Sequence, residues 1–261
     1  MVDSFWQPTL SFSEQMPYPC VIESVRREYM PKADPMAVFQ EDRRRDRLAL
    51  VAALERLFEG ADFPSNHAIE CVRLKRDTLG KPFVAWGGVV AEWAQERGYR
   101  AEHLHVSNTH DGEAHLLLAL YGETVAGVGI DVVHLPRFEQ KSRTMLQRFA
   151  SRIMSKTEYD AVLPHLEQED EPDLRLRVAT HFSLMEAASK ACGTGLKIGL
   201  GMGKPTSLPL QSLGALAVQP TVRLHFEGVG EVRLAELGVA ESVGDWRMEG
   251  EYLVSAVVLL R

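Results

Sequence analysis

Two short runs late in the chain, Gly127-Val128-Gly129-Ile130-Asp131 and Phe182-Ser183-Leu184-Met185-Glu186-Ala187-Ala188-Ser189-Lys190, do most to constrain the fold. Asp131 and Glu186 stand 55 positions apart, each where a folded chain would not place a carboxylate for stability alone. The first run is apolar and strand-like and ends on Asp131. In the second, Glu186 and Lys190 lie one helical turn apart and share a face. A fold that joins the two gains two carboxylates and a lysine, a set suited to a divalent metal and a phosphate ester.

The flanking pattern shows what carries these runs. Leu48, Leu50, Val51, Leu54 and Leu57 recur at helical spacing over 46–58, with Asp42 as the expected N-cap and Gly60 as the stop. Ile69–Leu74 reads as a strand, 78–82 as a turn and 84–97 as a helix weakened by Gly87-Gly88. Segments 103–108, 114–121 and 125–130 then read as three strands of one small antiparallel sheet, turning at His110-Asp111-Gly112. In the second half, 136–154 reads as one helix and Thr157 begins another. An acidic loop covers 167–173, and 174–192 is a long helix stopped by Gly193-Thr194-Gly195. After a Gly- and Pro-rich loop over 200–209, segments 221–226, 231–237 and 251–260 read as strands. The fold class is therefore α+β: two similar α/β subdomains, 1–127 and 128–261, each a helix on a small, largely antiparallel sheet, related by pseudo-twofold symmetry.

Composition narrows the function classes. No apolar run reaches the roughly 18 residues of a membrane helix, and the N-terminus shows no basic leader. The three cysteines, Cys20, Cys71 and Cys192, are widely spaced and fit reduced thiols in the cytoplasm rather than a zinc motif. A formal net charge of −7 argues against a general nucleic-acid binder and leaves room for a local basic patch.

Gly129-Ile130-Asp131 with Arg137 six residues after the aspartate, the Phe182–Lys190 run, and Gly80-Lys81-Pro82 followed by Val106-Ser107-Asn108-Thr109-His110 together resemble the signatures of the 4'-phosphopantetheinyl transferase superfamily. Their order resembles the monomeric, two-domain Sfp-type group, and Ser155-Lys156-Thr157-Glu158-Tyr159 is similar to that group's linker helix. Ala191-Cys192-Gly193-Thr194-Gly195 is instead similar to the short holo-acyl-carrier-protein synthases.

The resemblance implies an enzyme that moves phosphopantetheine from coenzyme A to a serine of an apo acyl or peptidyl carrier protein. It implies Mg²⁺ on Asp131 and Glu186, Glu186 and Lys190 in catalysis, and coenzyme A held by Arg47, Lys81, Pro82, His110 and Lys190. The expected molecule is a cytoplasmic monomer with no nucleic-acid or membrane partner. Arg143, Arg148 and Arg152 are the expected docking cations for an acidic carrier. Two positions depart from the pattern. Met185 replaces the family's lysine, with Lys197 as a substitute, and Val133 replaces a third acid. These departures support an alternative, a catalytically impaired relative that binds coenzyme A or a carrier protein. Taken singly, Asp131 also reads as a cap, Glu186 and Lys190 as a surface ion pair, and Met185 as a packing residue. An unrelated metal-dependent phosphotransferase with the same carboxylates is a third reading.

Overall fold

A computed structural model describes residues 19–26, 35–168, 170–194, 196–197, 208–209, 213–215 and 221–261. The first half opens with strand β1 (Cys20–Arg26), followed by helix α1 (Pro35–Leu57). Ala49, Leu50, Ala53, Leu54 and Leu57 form a buried stripe on α1, the helical spacing expected of a core-facing side. Gly60 follows with φ +82°, so the chain reverses where a side chain would be strained. Strands β4 (Leu104–Asp111) and β5 (Ala114–Tyr121) complete an antiparallel sheet ordered β1-β5-β4. Between them and α1 lie helix α2 (Ser65–Cys71), the hairpin β2 (Val72–Arg76) and β3 (Pro82–Trp86), and helix α3 (Gly88–Glu96).

The second half is built on β6 (Val125–His134). A short turn of helix, α4 (Pro136–Glu139), leads to α5 (Arg143–Ile153), α6 (Lys156–Gln168) and the long α7 (Glu171–Ala191). Short β7 (Leu196–Lys197) and β8 (Leu208–Pro209) pair in parallel. Strands β9 (Leu213–Ala215) and β10 (Thr221–Phe226), helix α8 (Val229–Leu237), and strands β11 (Glu241–Glu249) and β12 (Tyr252–Leu260) follow. The antiparallel sheet runs β6-β12-β11-β10-β9.

Three apolar clusters order these elements into layers. Leu117 and Ala119 of β5 pack toward α1, whereas Leu116, Leu118 and Leu120 on its other face meet Val128, Ile130 and Val132 of β6 and Val254, Ala256 and Val258 of β12. The far side of the β6 sheet packs on α7 through Val133, Leu253, Val257 and Leu259. Helix, sheet, sheet and helix are thus stacked across a shared central core, the arrangement that hides one face of each helix and both faces of the inner strands.

Several sequence expectations give way to this packing. Asp42 lies inside α1, ion-paired with Arg45 at 3.6 Å, rather than capping it. Ile69 belongs to α2 and is exposed; the strand starts at the buried Val72. The span 84–97 divides into a strand and a helix at Gly87-Gly88, where Gly88 has φ +50°. Asp131 sits inside β6, because Val132 and Val133 continue the ladder with Val254 and Leu253. Strand β6 also leaves the β4–β5 meander and pairs with β12 instead. The 136–154 helix breaks before Ser142, whose Oγ accepts the Met145 N–H and starts α5 afresh. Residues 231–237 are helical, bounded by Gly228 and Gly238 with φ +57° and +67°. Residues 167–168 end α6, and Asp170 caps α7 by accepting the Asp173 N–H at 3.0 Å. The 200–209 loop lies outside the described residues except for Leu208 and Pro209.

Candidate active site

Helix α7 meets β6 with no side chain between them at two points. A Cβ on Gly129 would stand 1.8 Å from the Ala187 carbonyl oxygen, and one on Gly127 2.1 Å from that of Ala191. Two strand residues advance about 6.6 Å and four helical residues about 6 Å, so the contacts keep helix and strand in step while they run in opposite directions. The next inward position along β6 is Asp131. Glu186 and Lys190 flank the contact stripe on α7, and the three side chains converge.

The Asp131 carboxylate is nearly buried. Its Oδ1 accepts Lys190 Nζ–H at 2.8 Å and Thr109 Oγ1–H at 3.1 Å, while Lys190 also donates to the Ile130 carbonyl at 3.0 Å. Burial, then the neighbouring Asp131 charge, pushes the Glu186 carboxyl above its usual range; Lys190 and Arg137 partly oppose this. Among the described residues, none donates a hydrogen bond to the Glu186 carboxylate. Two facing carboxylates, one lacking a donor, form a hard oxygen pair suited to a divalent cation that keeps most of its waters. No cluster of three His, Cys, Asp or Glu that could hold a metal occurs among the described residues.

The opposite wall comes from the first half. Strands β4 and β6 are tied by side chains: Ser107 Oγ accepts Ile130 N–H at 3.1 Å, and Asp111 Oδ2 accepts His134 N–H at 2.9 Å and Arg137 Nη1–H at 2.7 Å. Asp77 Oδ1 caps the β2–β3 turn, accepting from the amides of Leu79 and Lys81 at 2.9 and 2.8 Å. That turn carries Lys81 and Pro82 to the site. Lys81 lies along Gly193 and donates to the Ala126 carbonyl at 3.3 Å, so its ammonium bridges the halves. Burial, and then Arg233, hold its pKa below the usual value.

The resulting cleft encloses about 460 Å³ and is lined from both halves, including Lys81, Pro82, His110, Asp131, Glu186 and Lys190. Of the expected residues, only Arg47 stays apart: it is half-buried on α1 and does not line the cleft. Helix α1 reaches the wall through Asp46, whose Oδ1 accepts Asn108 Nδ2–H at 2.7 Å. Met185 and Val133 are fully buried between α7 and its sheet, so neither replacement removes a group from the cleft as it stands. The side chain of Lys197 lies outside the described residues.

The structure adds residues to which the sequence assigns no role. Arg76 lines the cleft and donates to the Gly80 carbonyl at 3.0 Å and to Asn108 Oδ1 at 3.3 Å. Thr109 and Arg137 were visible only as parts of the two signatures. A second groove of about 400 Å³ shares Arg137 and Phe182 with the cleft; Phe138, Met145 and Phe149 form its apolar surface, with Lys141, Arg148 and Arg152 beside them. Arg143 is not part of it and donates to the Glu167 carbonyl at 3.4 Å.

A family model described as 4'-phosphopantetheinyl transferase superfamily matches residues 127–237. Holo-[acyl-carrier-protein] synthase of Halorhodospira halophila is 33% identical over 136 residues, covering 52% of this chain and 98% of that protein. The synthase of Yersinia enterocolitica is 32% identical over 135 residues, 52% of this chain and 97% of that protein. The chain belongs to the 4'-phosphopantetheinyl transferase superfamily and is a transferase. Among solved structures, the synthase from Neisseria meningitidis aligns with a TM-score of 0.40 and 23% identity over 52% of this chain and 99% of its own.

Proposed function

We propose that the chain transfers 4'-phosphopantetheine from coenzyme A to a serine hydroxyl of an apo acyl or peptidyl carrier protein, with Mg²⁺ on Asp131 and Glu186. The observation that carries this reading is the convergence of Asp131, Glu186 and Lys190 from one half with Lys81, Pro82 and His110 from the other in one cleft. The family model matches 127–237, the stretch that holds both carboxylates, and relatives named holo-[acyl-carrier-protein] synthase match about half of the chain.

The serine oxygen attacks the phosphorus nearer the pantetheine; a new P–O bond forms, and the bond to the departing adenosine bisphosphate breaks. Asp131 and Glu186 would hold Mg²⁺, which would supply charge compensation at the pyrophosphate. Glu186, the carboxylate of the pair to which no described residue donates a hydrogen bond, accepts the serine proton. Lys190 holds Asp131 in place and presents positive charge to the phosphate side of the cleft. Arg76, Lys81 and Arg137 supply the cationic surface for the rest of the nucleotide, with the His110 ring beside them.

Both halves of one chain contribute to the cleft, so a monomer suffices for catalysis, with 1–127 and 128–261 as its subdomains. The described residues include no helix long and apolar enough to cross a membrane. We place the enzyme in the cytoplasm, where its free thiols, Cys192 buried among them, stay reduced. The test is incubation with coenzyme A, Mg²⁺ and a panel of apo carrier proteins, followed by carrier mass. Addition of one phosphopantetheine that is lost with Asp131→Ala establishes the reading; coenzyme A binding with no adduct on any carrier favours the binding-module alternative.

The second groove is where we place the carrier protein, since it combines basic residues with an apolar surface and opens beside the cleft. Arg148→Glu with Arg152→Glu is expected to raise the carrier KM about tenfold, through lost charge complementarity, and to leave the KM for coenzyme A unchanged. Steady-state kinetics with each substrate varied checks this, and an equal rise in both constants rejects the docking site.

A further inference from the structure

We propose that Asp46 is a positioning residue for the anion-binding wall of the cleft, acting through Asn108 on Arg76. This rests on the reading that the cleft binds coenzyme A. Asp46 does not line the cleft. Its Oδ1 is nevertheless a hub, accepting Asn108 Nδ2–H at 2.7 Å and the Nε2–H of His115 at 3.0 Å. A carboxylate is acceptor-only, so it fixes both partners. The Asn108 amide must turn its nitrogen toward Asp46, which leaves Oδ1 as the acceptor for Arg76 Nη2–H at 3.3 Å. The reversed amide would set N–H against the guanidinium and lose both bonds.

The same carboxylate selects the His115 tautomer. His115 is about 1% exposed, and its Nδ1 has no hydrogen-bond partner among the described residues. With Nε2 protonated toward Asp46, Nδ1 carries only a lone pair. Protonation at Nδ1 instead would bury an unpaired donor and set two acceptors against each other. The His115 ring is parallel to that of His110, centroids 5.9 Å apart and planes within 4°. One carboxylate on α1 therefore sets Asn108 and, through it, Arg76, and also orients the ring beside His110.

The experiment measures coenzyme A binding by calorimetry for wild type, Asp46→Ala, Asp46→Asn, Arg76→Ala and the Asp46→Ala/Arg76→Ala pair, with thermal melts to establish folding. Imidazole ¹⁵N NMR reports the His115 tautomer independently of any ligand. Asp46→Ala is expected to raise the Kd about tenfold, and in the Arg76→Ala background less than twofold, because the two act in series. Asp46→Asn keeps an oxygen acceptor and is expected to restore most of the affinity. His115 is expected to be the Nε2–H tautomer in wild type and a mixture in Asp46→Ala.

Equal fold-losses in both backgrounds would mean that Asp46 acts only through general stability and would overturn the proposal. So would a folded Asp46→Ala with wild-type affinity, or an Nδ1–H tautomer in the wild type. If the wild type binds no coenzyme A, the functional reading fails, and the tautomer alone decides whether Asp46 organises this wall.

Discussion

Glu186→Gln is expected to lower the rate of carrier modification by about 10²–10⁴-fold, the usual contribution of a positioned proton acceptor, and to make the protein more heat-stable at pH 8. The two effects share a cause. The folded state holds the Glu186 carboxyl above its usual value because the group is buried beside Asp131. Its ionised form is therefore less favourable in the folded protein than in the unfolded chain. Stability is complete below the unfolded value, near 4.5, and declines as pH rises through the raised folded value. Glutamine carries no such charge. The variant's melting temperature should match wild type near pH 4 and exceed it by a constant margin above the raised folded value. Metal-free melts across this range, and separately initial rates with Mg²⁺ at saturating coenzyme A, test both parts. A rate above a tenth of wild type would remove Glu186 as the proton acceptor. A stability gain independent of pH would show that the gain comes from packing rather than charge.

Much of the lining of the candidate cleft was legible because its residues fall in three ordered runs whose chemistry is restrictive: Asp131, Glu186 with Lys190, and Lys81-Pro82 with His110. Arg76 gave no such signal. It is one basic residue in a strand that also holds Arg73 and Lys75, and only the β2–β3 turn and Asn108 distinguish it. Arg47 was the reverse case, a cation in a suggestive place whose neighbour Asp46 makes the contact toward the cleft. The helices read over 46–58 and 174–192 are present because each is long enough to show its pattern, but they begin earlier than the sequence suggested, at Pro35 and Glu171. The 231–237 segment was too short to separate a strand from a helix; glycines at both ends of the element decided it. The pairing of β6 with β12 was not legible, since Ser255 opposes Asp131 across a long stretch of intervening chain and both strands are apolar on both faces. The layered helix-on-sheet plan could therefore be read locally, whereas the strand that carries Asp131 could not be assigned to its sheet.

Gly129→Ala should have the second large effect, and it acts through the backbone rather than through chemistry. The added methyl would lie 1.8 Å from the Ala187 carbonyl oxygen and its carbon 2.7 Å from the Ala191 nitrogen. These are helix backbone atoms with no rotamer to change, so α7 itself must move outward. Overpacking of this kind costs about 3 kcal/mol, the upper end for an added methylene in a packed core. In a chain of this size it lowers Tm by about 6–12 °C. The displaced residues carry the site: Ala187 follows Glu186, and Ala191 follows Lys190. A shift of α7 lengthens the Lys190–Asp131 ion pair, now 2.8 Å, and separates Glu186 from Asp131. Residual activity in the fraction still folded at low temperature should therefore fall at least tenfold, as misplacement of reacting groups by about 1 Å can cost 10²-fold. Gly244→Ala is the matched control. Its Cβ would meet Val222 Cγ2 at 3.1 Å and Leu184 Cδ2 at 3.3 Å, side-chain atoms that can yield, on a strand away from Asp131. If Gly129→Ala and Gly244→Ala prove equally mild in melting temperature and rate, the close backbone contact does not set the spacing of the two carboxylates. If only Gly129→Ala loses both, the glycines of the Gly-x-Gly-x-Asp run serve to let a helix reach the strand, and the position of Asp131 relative to Glu186 follows from that approach.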